Sequence, residues 1–410
     1  MKKKFKLALP WQILIGICLG ILLGIFGSEY VKYTKWLGDL FLRGLQMVVI
    51  PLVFSALVMG VSSIGKSADL GRIAGKTFAY YVATTLIACV LGLLLVNLFQ
   101  PGHGVDLRLQ DTVTGLDPSK VSFIDQIVAI VPDNIVKAMA TGNMLPVIFF
   151  AILFGFFINV SSDKTRVLLT DVFNGLYEVM IKITFLVIRF APVGLFGVVS
   201  GMVGAQAGDP KALGTMFGSL GIYAAIIAGG CIIQGLGILP AIFVAFTRKN
   251  PFKLMKQLGT GLMTTFCTAS SAASLPINLQ DIQEKTGVSR KIAGFCLPLG
   301  NTVNMNGTAL FECVTALFIA QAYGIDLTLG QQIVVILTSL LAAVGSAGIP
   351  LAGLVMLAVV LNAVGLPLEG IGLVLVVQQP LDMIRSAVNV WGDLTGAVIV
   401  AKSEGETLNL

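Results

Sequence analysis

The sequence predicts an all-α integral membrane protein, and three observations carry that expectation. The 410-residue chain is 56% hydrophobic and only 12% charged, against about 25% charged in an average soluble domain. Its mean hydropathy is +0.91. Apolar runs near 9–27, 44–64, 77–99, 143–160, 176–204 and 215–247 approach or exceed the roughly 20 residues that cross a bilayer core. The 46 glycines fit the same medium, since glycine is more frequent in membrane helices than in soluble ones.

The first run, after "MKKKFK", is long and has no small-residue cleavage site behind it, so it is expected to be a retained helix. Its Gly16, Gly20 and Gly24 form a small-residue stripe of the kind that packs helix on helix. Lysine and arginine in short loops set the orientation. Lys2, Lys3, Lys4 and Lys6 place the N-terminus in the cytoplasm. Lys66, Arg72 and Lys76 fall on that side after two crossings, Lys164 and Arg166 after four, and Arg248, Lys249, Lys253 and Lys256 after six. The net charge of +6 is thus a topology signal, and no basic, aromatic-interleaved surface points to nucleic acid. Six cysteines without metal spacing and one loop histidine, His103, leave no zinc site or histidine-based triad to build.

Beyond residue 250 the apolar chain is interrupted three times, by "TTFCTASSAASLP" (264–276), "PLGNTVNMNGTA" (298–309) and "VGSAGIPLAG" (344–353). Broken backbone at membrane depth is tolerated only where it is buried in protein or lines a cavity. Lys285, Arg290 and Lys291 share a side with the cluster before residue 257, so 257–284 is expected to enter and return as a re-entrant hairpin. "SAASLP" and "SAGIP" are alike, which makes 330–366 a second hairpin entered from the other side. Two inverted halves with interrupted helices point to a transport site at their interface. Beside these breaks runs "DMIRSAVNVWGD". Asp382, Arg385, Ser386, Asn389 and Asp393 recur there at i, i+3, i+4, i+7 and i+11, one face of a helix. Ionisable residues inside a membrane segment are a functional site by default.

Taken together, "SSAASLP", "NMNGTA", "GSAGIPLAG" and "DMIRSAVNVWGDLTGAVIVAKSEG" resemble the dicarboxylate/amino acid:cation symporters, the glutamate transporter family. The likeness runs from "WLGDLFLRGLQMVVIPLVFSALVMGV" through "NMLPVIFFAILFG" to the end. It implies eight spanning helices, two re-entrant hairpins, and a homotrimer in the cell inner membrane. Scaffold helices would occupy 1–76 and 101–212. A transport unit made of 77–100 and 213–410 would move like an elevator, with the tip of the second hairpin as gate.

The resemblance also implies roles. Arg385 would hold a substrate's side-chain carboxylate beside Thr308, and Asp382 its α-amino group with help from Ser386. Asn389 would take the α-carboxylate with Ser270 and Ser271 at the first hairpin tip, and Ile349 and Gly353 would close the site from the second. Asp393 would bind a cation with carbonyls of Gly300, Asn304 and Asn389. A second cation would sit by Thr302, Ala343, Val344 and Ser346, and a third by Tyr81, Thr84, Thr85 and the position of Asn306. No tightly bound cofactor is implied, only Na⁺ and/or H⁺ as coupling ions, an acidic amino acid as substrate, and membrane lipid as surroundings.

This chain departs from the pattern in four places. Asn306 stands where sodium-coupled members carry aspartate. Gln378 replaces another aspartate of the archaeal relatives, and Leu351 replaces a Gly or Gln. Glu312, glutamine in the archaeal relatives, matches the glutamate regarded as the proton carrier of the mammalian ones. A C4-dicarboxylate carrier would lack an equivalent of Asp382, and a neutral amino acid carrier would lose Arg385. A channel would need a filter or a ring of carboxylates, and an enzyme an activated nucleophile or metal cluster.

Overall fold

The structure is a computed structural model that describes residues 9–62, 68–104, 128, 131–142, 144–206, 209–346, 348 and 352–410. Among the described residues every regular element is a helix. The N-terminal lysines, Lys66, Ile349, Pro350 and Leu351 lie outside them.

The first half consists of α1 (Leu9–Phe26), α2 (Lys35–Ser62), α3 (Ala68–Phe99), the short α4 (Ile135–Thr141), α5 (Met144–Val160), α6 (Asp163–Arg189) and α7 (Ala191–Ala205). Helices α6 and α7 meet at a 55° bend, where Pro192 in the first turn of α7 lacks the N–H that would continue α6. The apolar runs 9–27 and 143–160 match α1 and α5, whereas three others missed the starts of their helices. α2 begins at Lys35 rather than near 44, α3 at Ala68 rather than 77, and α6 at Asp163 rather than 176. In each case the missing turns are amphipathic and carry charges that a hydropathy run excludes.

The glycine stripe of α1 does pack. A Cβ on Gly16 would overlap the Pro192 carbonyl oxygen, one on Gly20 would lie 2.9 Å from the Phe196 oxygen, and one on Gly24 2.6 Å from Val203 Cβ. α1 can therefore lie along α7 only because these side chains are absent. Around that pair, α2 packs on α5, α6 and α7.

The second half begins with α8 (Pro210–Ile232). It continues through a π-helical turn (Ile233–Ile238) into α9 (Leu239–Thr247), with Pro240 at the start of α9. Both expected hairpins are present as paired helices. The first consists of α10 (Pro251–Gln257) and α11 (Gly259–Thr268), then α12 (Ser271–Thr286). The second, after α13 (Arg290–Val303) and α14 (Asn306–Ala322), is α15 (Leu329–Gly345) and α16 (Ala352–Ala363). The chain ends with α17 (Ile371–Ser403). Caps set several starts. Ser270 accepts from the Ala273 N–H at α12, Ser289 from Ile292 at α13, and Thr328 with Gln331 forms a reciprocal capping box at α15.

Helix α17 lies at the centre of this half, in contact with α3, α8, α11, α13 and α14, while α3 runs along α14. The two halves meet where α15 and α16 touch α2, where α16 touches α5, and where the start of α17 touches α7. Past the end of α17, Glu404 takes Arg72 Nη2 and Lys76 Nζ, each at 2.6 Å. These hydrogen bonds hold its carboxyl down at about 2. The same tail accepts the Ser289 N–H on Glu406 and bonds Thr286 and Gln257 through the Asn409 backbone.

Lys35–Ser62, Gly71–Phe99, Leu213–Thr247, Arg290–Ala322 and Leu368–Ser403 are long and apolar enough to cross a membrane, and the bent α6–α7 pair makes a sixth candidate. Trp11–Phe26 and Pro146–Val160 are shorter apolar helices. Large apolar side chains such as Phe26, Leu94, Leu98, Phe156 and Phe157 face outward, as a lipid-facing surface requires.

Candidate functional site

All five polar residues of the α17 face are inside the protein. Arg385 is fully buried, and Asp382, Ser386, Asn389 and Asp393 are each under 9% exposed. The face meets the three interrupted segments. Backbone continuity fails between α13 and α14 at Asn304 and Met305, within the expected 298–309. It fails at Ala269, which takes a left-handed φ of 50°, between α11 and α12. The third interruption falls between α15 and α16, partly outside the described residues.

Arg385 is held from two sides. Its Nη2 donates to Asp382 Oδ1 at 2.5 Å, and its guanidinium carbon lies 3.8 Å from the centre of the Phe311 ring, on the ring face. Nε and Nη1 have no hydrogen-bond partner. Gly353 of the second hairpin is close by: a Cβ there would come within 3.2 Å of Nη1. The guanidinium thus retains two unused donors in a place where an unpaired donor is costly.

One turn on, Asn389 is engaged at both ends. Its Oδ1 accepts the Gly307 N–H at 2.7 Å, and its Nδ2 donates to Thr308 Oγ1 at 3.1 Å and faces Met305 Sδ at 3.2 Å. Because Gly307 donates sideways to Asn389, the Val303 carbonyl loses its usual helical partner. A Cβ on Gly307 would sit 2.6 Å from the Arg385 carbonyl oxygen, so α14 crosses α17 here with no room for a side chain.

The next turn carries Asp393. Asn304 Nδ2 donates to its Oδ1 at 2.8 Å. Gly300 faces the same carboxylate so closely that a Cβ would overlap it and come within 2.8 Å of Tyr81 Oη. Tyr81 donates to the Cys296 carbonyl at 2.9 Å, Thr84 to the Tyr80 carbonyl at 2.9 Å, and Thr85 to Asn306 Oδ1 at 2.8 Å. Tyr81, Thr84, Thr85, Asn304, Asn306, Gly300 and Asp393 therefore form one buried polar cluster between α3, α13, α14 and α17. Asn306 Nδ2 has no partner. It points at Gly392, where a Cβ would lie 2.6 Å from it and 2.7 Å from Asn304 Nδ2. Gly300→Ala is expected to lower stability by about 1–3 kcal/mol, the cost of overpacking. A melting temperature in detergent equal to wild type would contradict this packing.

The two hairpins touch at their tips. Ser270 Oγ and the Ala272 N–H both donate to the Gly348 carbonyl, at 2.8 and 3.0 Å, and Ser271 opens α12 beside them. Thr302 donates to the Leu299 carbonyl at 3.0 Å. Ala343 accepts from the Ser346 N–H at 3.3 Å, so that carbonyl is already partly used. The helices carrying Thr302 and Ala343 pack on each other, with Ser346 buried and Val344 half-buried. Ile349 lies outside the described residues.

Glu312 is fully buried on α14, four residues after Thr308, and neither carboxylate oxygen has a hydrogen-bond partner. Gln378, one turn before Asp382, is likewise buried with both amide atoms unpartnered. Sequence reasoning missed Phe311, which floors the Arg385 guanidinium, and Met305, whose sulfur lines the Asn389 pocket. Phe311 sits in an otherwise apolar stretch, where an aromatic is ordinarily core, and Met305 is the one apolar side chain between Asn304 and Asn306, whose amides carried the motif. Among the described residues no group of three His, Cys, Asp or Glu could hold a metal ion. Any cation in this site must be held largely by carbonyl, amide and hydroxyl oxygens.

Residues 9–403 match the sodium:dicarboxylate symporter family. The chain is 37% identical to a proton/sodium-glutamate symport protein of Bacillus caldotenax, with 98% of this chain and 96% of that protein covered. It is 35% identical to the proton/glutamate-aspartate symporter of Escherichia coli K12, with coverage of 98% and 94%. It is 34% identical to human excitatory amino acid transporter 2, with coverage of 97% and 79%. A match over nearly the whole chain, joined to a buried polar face ringed by interrupted helices, places this protein in the sodium:dicarboxylate symporter family.

Proposed function

We propose that this protein is a secondary active symporter that takes up acidic amino acids, glutamate or aspartate, together with cations. The observation that carries the reading is Arg385, fully buried with two unused N–H donors and one bonded carboxylate, Asp382. A planar guanidinium matches a second carboxylate bidentately. An arriving acidic side chain would take the end-on fork, the unused Nη1 together with the second N–H of Nη2, while Asp382 keeps the first. The α-ammonium would share Asp382, and the α-carboxylate would lie toward Asn389 and the tip of the first hairpin. The N-terminus of α12 at Ser270 and Ser271 favours an anion through its dipole, and its Ala272 N–H would turn to the ligand on leaving the Gly348 carbonyl. Relatives whose names carry glutamate or aspartate support this substrate class.

The same reading extends to movement. Eight crossings, counting Trp11–Phe26 and Pro146–Val160, would hold the protein in the cell inner membrane with its N-terminus in the cytoplasm. Residues 1–76 and 101–212 would form the scaffold of a homotrimer. Residues 77–100 and 213–410 would carry the site past it as one elevator unit, with the second hairpin as gate. The coupling ions would be H⁺ and/or Na⁺. The site of Asp393 with Gly300, Asn304 and Asn389 has its carboxylate in place. The site of Thr302, Ala343, Val344 and Ser346 depends on backbone oxygens.

The test is uptake of labelled glutamate into liposomes by the purified protein, under a Na⁺ gradient alone and a pH gradient alone, with unlabelled competitors. Accumulation above equilibrium, competed by aspartate and not by serine, is expected. Equilibration without accumulation would mean a channel. The amino-group role has its own measurement. Asp382→Asn should weaken glutamate by roughly 100-fold, about 3 kcal/mol for the charged partner of an ammonium. Inhibition by succinate, which has no nitrogen, should change far less. Normal glutamate affinity in Asp382→Asn would remove Asp382 from the site.

A further inference from the structure

The segment that follows α17, "EGETLNL" (404–410), takes no part in the roles above. Its side chains alternate. Glu404, Glu406, Leu408 and Leu410 are half-buried and the residues between them exposed, the period of an extended chain with one face against the protein. Glu404 takes Arg72 and Lys76 of α3, and Leu408 and Leu410 pack on the buried core.

Between these anchors Glu406 completes the start of α13. Ser289 Oγ takes the Ile292 N–H there at 3.3 Å, and Glu406 Oε2 takes the Ser289 N–H at 2.9 Å. A helix start ordinarily receives that second bond from a Glu or Gln in its own first turn. Here Ile292 holds that position, and the acid arrives from 117 residues away. α13 also opens with Arg290 and Lys291, cations at the end where the helix dipole disfavours them, which a carboxylate offsets.

Asn409 then joins the two feet of the first hairpin. Its N–H donates to the Thr286 carbonyl at 2.9 Å, at the end of α12, and its carbonyl accepts Gln257 Nε2 at 3.2 Å, at the end of α10. Gly287, at φ 79°, passes so near that a Cβ would lie 3.4 Å from Asn409 Nδ2. Both bonds use the backbone of Asn409, so the bridge depends on the course of the segment and not on that side chain. The other end of α12 carries Ser270 and Ser271, and α12 has 16 residues, roughly 24 Å. A tilt at its foot is therefore carried to its tip.

Resting on the symport reading above, we propose that residues 404–410 are a positioning strap. By tying both feet of the first hairpin to α3 and α13, they fix where Ser270 and Ser271 stand in the substrate site.

Two substitutions at one position separate this role from general stability. Asn409→Pro deletes the donor to Thr286, whereas Asn409→Ala keeps the whole backbone. Amide hydrogen exchange of the purified protein is expected to quicken about tenfold in α11 and α12 of Asn409→Pro, the effect of losing roughly one hydrogen bond. In that variant α15 and α16 should exchange as in wild type, and Asn409→Ala should match wild type throughout. Half-saturation for glutamate uptake into liposomes should rise severalfold in Asn409→Pro alone. If Asn409→Pro does not fold, Glu406→Gln keeps the side-chain shape without the charge. It should give a smaller change of the same kind, at α12 and the start of α13. Exchange unchanged in these variants, quickened equally over the whole chain, or quickened in Asn409→Ala as well overturns the strap. Quickened hairpin exchange with glutamate half-saturation at its wild-type value overturns the positioning role. If wild-type vesicles accumulate no acidic amino acid, the symport reading falls, while the exchange measurement still decides whether the strap holds the hairpin.

Discussion

Arg385→Ala is expected to abolish high-affinity uptake of glutamate and aspartate while sparing, in relative terms, small neutral amino acids. The reason is the burial of the guanidinium. An acidic side chain arriving at the variant would be enclosed without a counter-charge, under the Phe311 ring and beside Gly353. Breaking a buried pair by removing one partner costs about 3–5 kcal/mol, or roughly 10²–10⁴-fold in affinity. Asp382 and Asn389 remain able to hold a zwitterion, so serine should gain ground against aspartate. The same deletion strips Asp382 of its 2.5 Å partner, so the variant is compared only as purified, homogeneous protein. Arg385→Lys keeps the charge without the fork and should fall between the two, because an ammonium cannot serve a carboxylate bidentately from that position. Aspartate binding unchanged in Arg385→Ala would sink the carboxylate role.

Much of this site was legible because its residues violate their surroundings. A helix face with five polar residues in a chain 12% charged is conspicuous by spacing alone, and the three Gly, Ser and Asn clusters mark where the backbone stops being helical. The structure brings these together around α17. What stayed hidden obeys its surroundings. Phe311 and Met305 look like core, and only the packing of α14 across α17, permitted by Gly307, turns them toward Arg385 and Asn389. The early turns of α3 were hidden for the opposite reason. Arg72 and Lys76 read as loop charges, yet they stand on the first turns of α3, where both meet Glu404, more than 320 residues away. No local pattern records such a partner.

Replacing Glu312 with glutamine is expected to uncouple uptake from the pH gradient. Hard cations favour carboxylate and carbonyl oxygens, and the cluster around Asp393 offers fewer than a sodium-coupled site requires. Where a carboxylate would complete the third cation position, Asn306 presents an amide. Its Oδ1 is occupied by the Thr85 hydroxyl, and its Nδ2 points inward with no acceptor. Asn304 adds a second N–H, aimed at Asp393 itself. Six residues along α14, Glu312 supplies the missing acid. A bare carboxylate there, with no donor to either oxygen, would be strongly disfavoured, whereas the neutral acid is tolerable. That is the condition for a group that would take up a proton with the substrate and release it where water reaches it. In liposomes with an inward-directed proton gradient and no sodium, wild type should accumulate glutamate. Glu312→Gln should lose most of that accumulation, at least tenfold, while still exchanging internal for external glutamate, since exchange needs no net proton movement. Asn306→Asp should act in the other direction, restoring a carboxylate to the cluster and strengthening sodium dependence. Uptake that requires sodium, ignores pH and survives Glu312→Gln would show that Asp393 carries the coupling without Glu312.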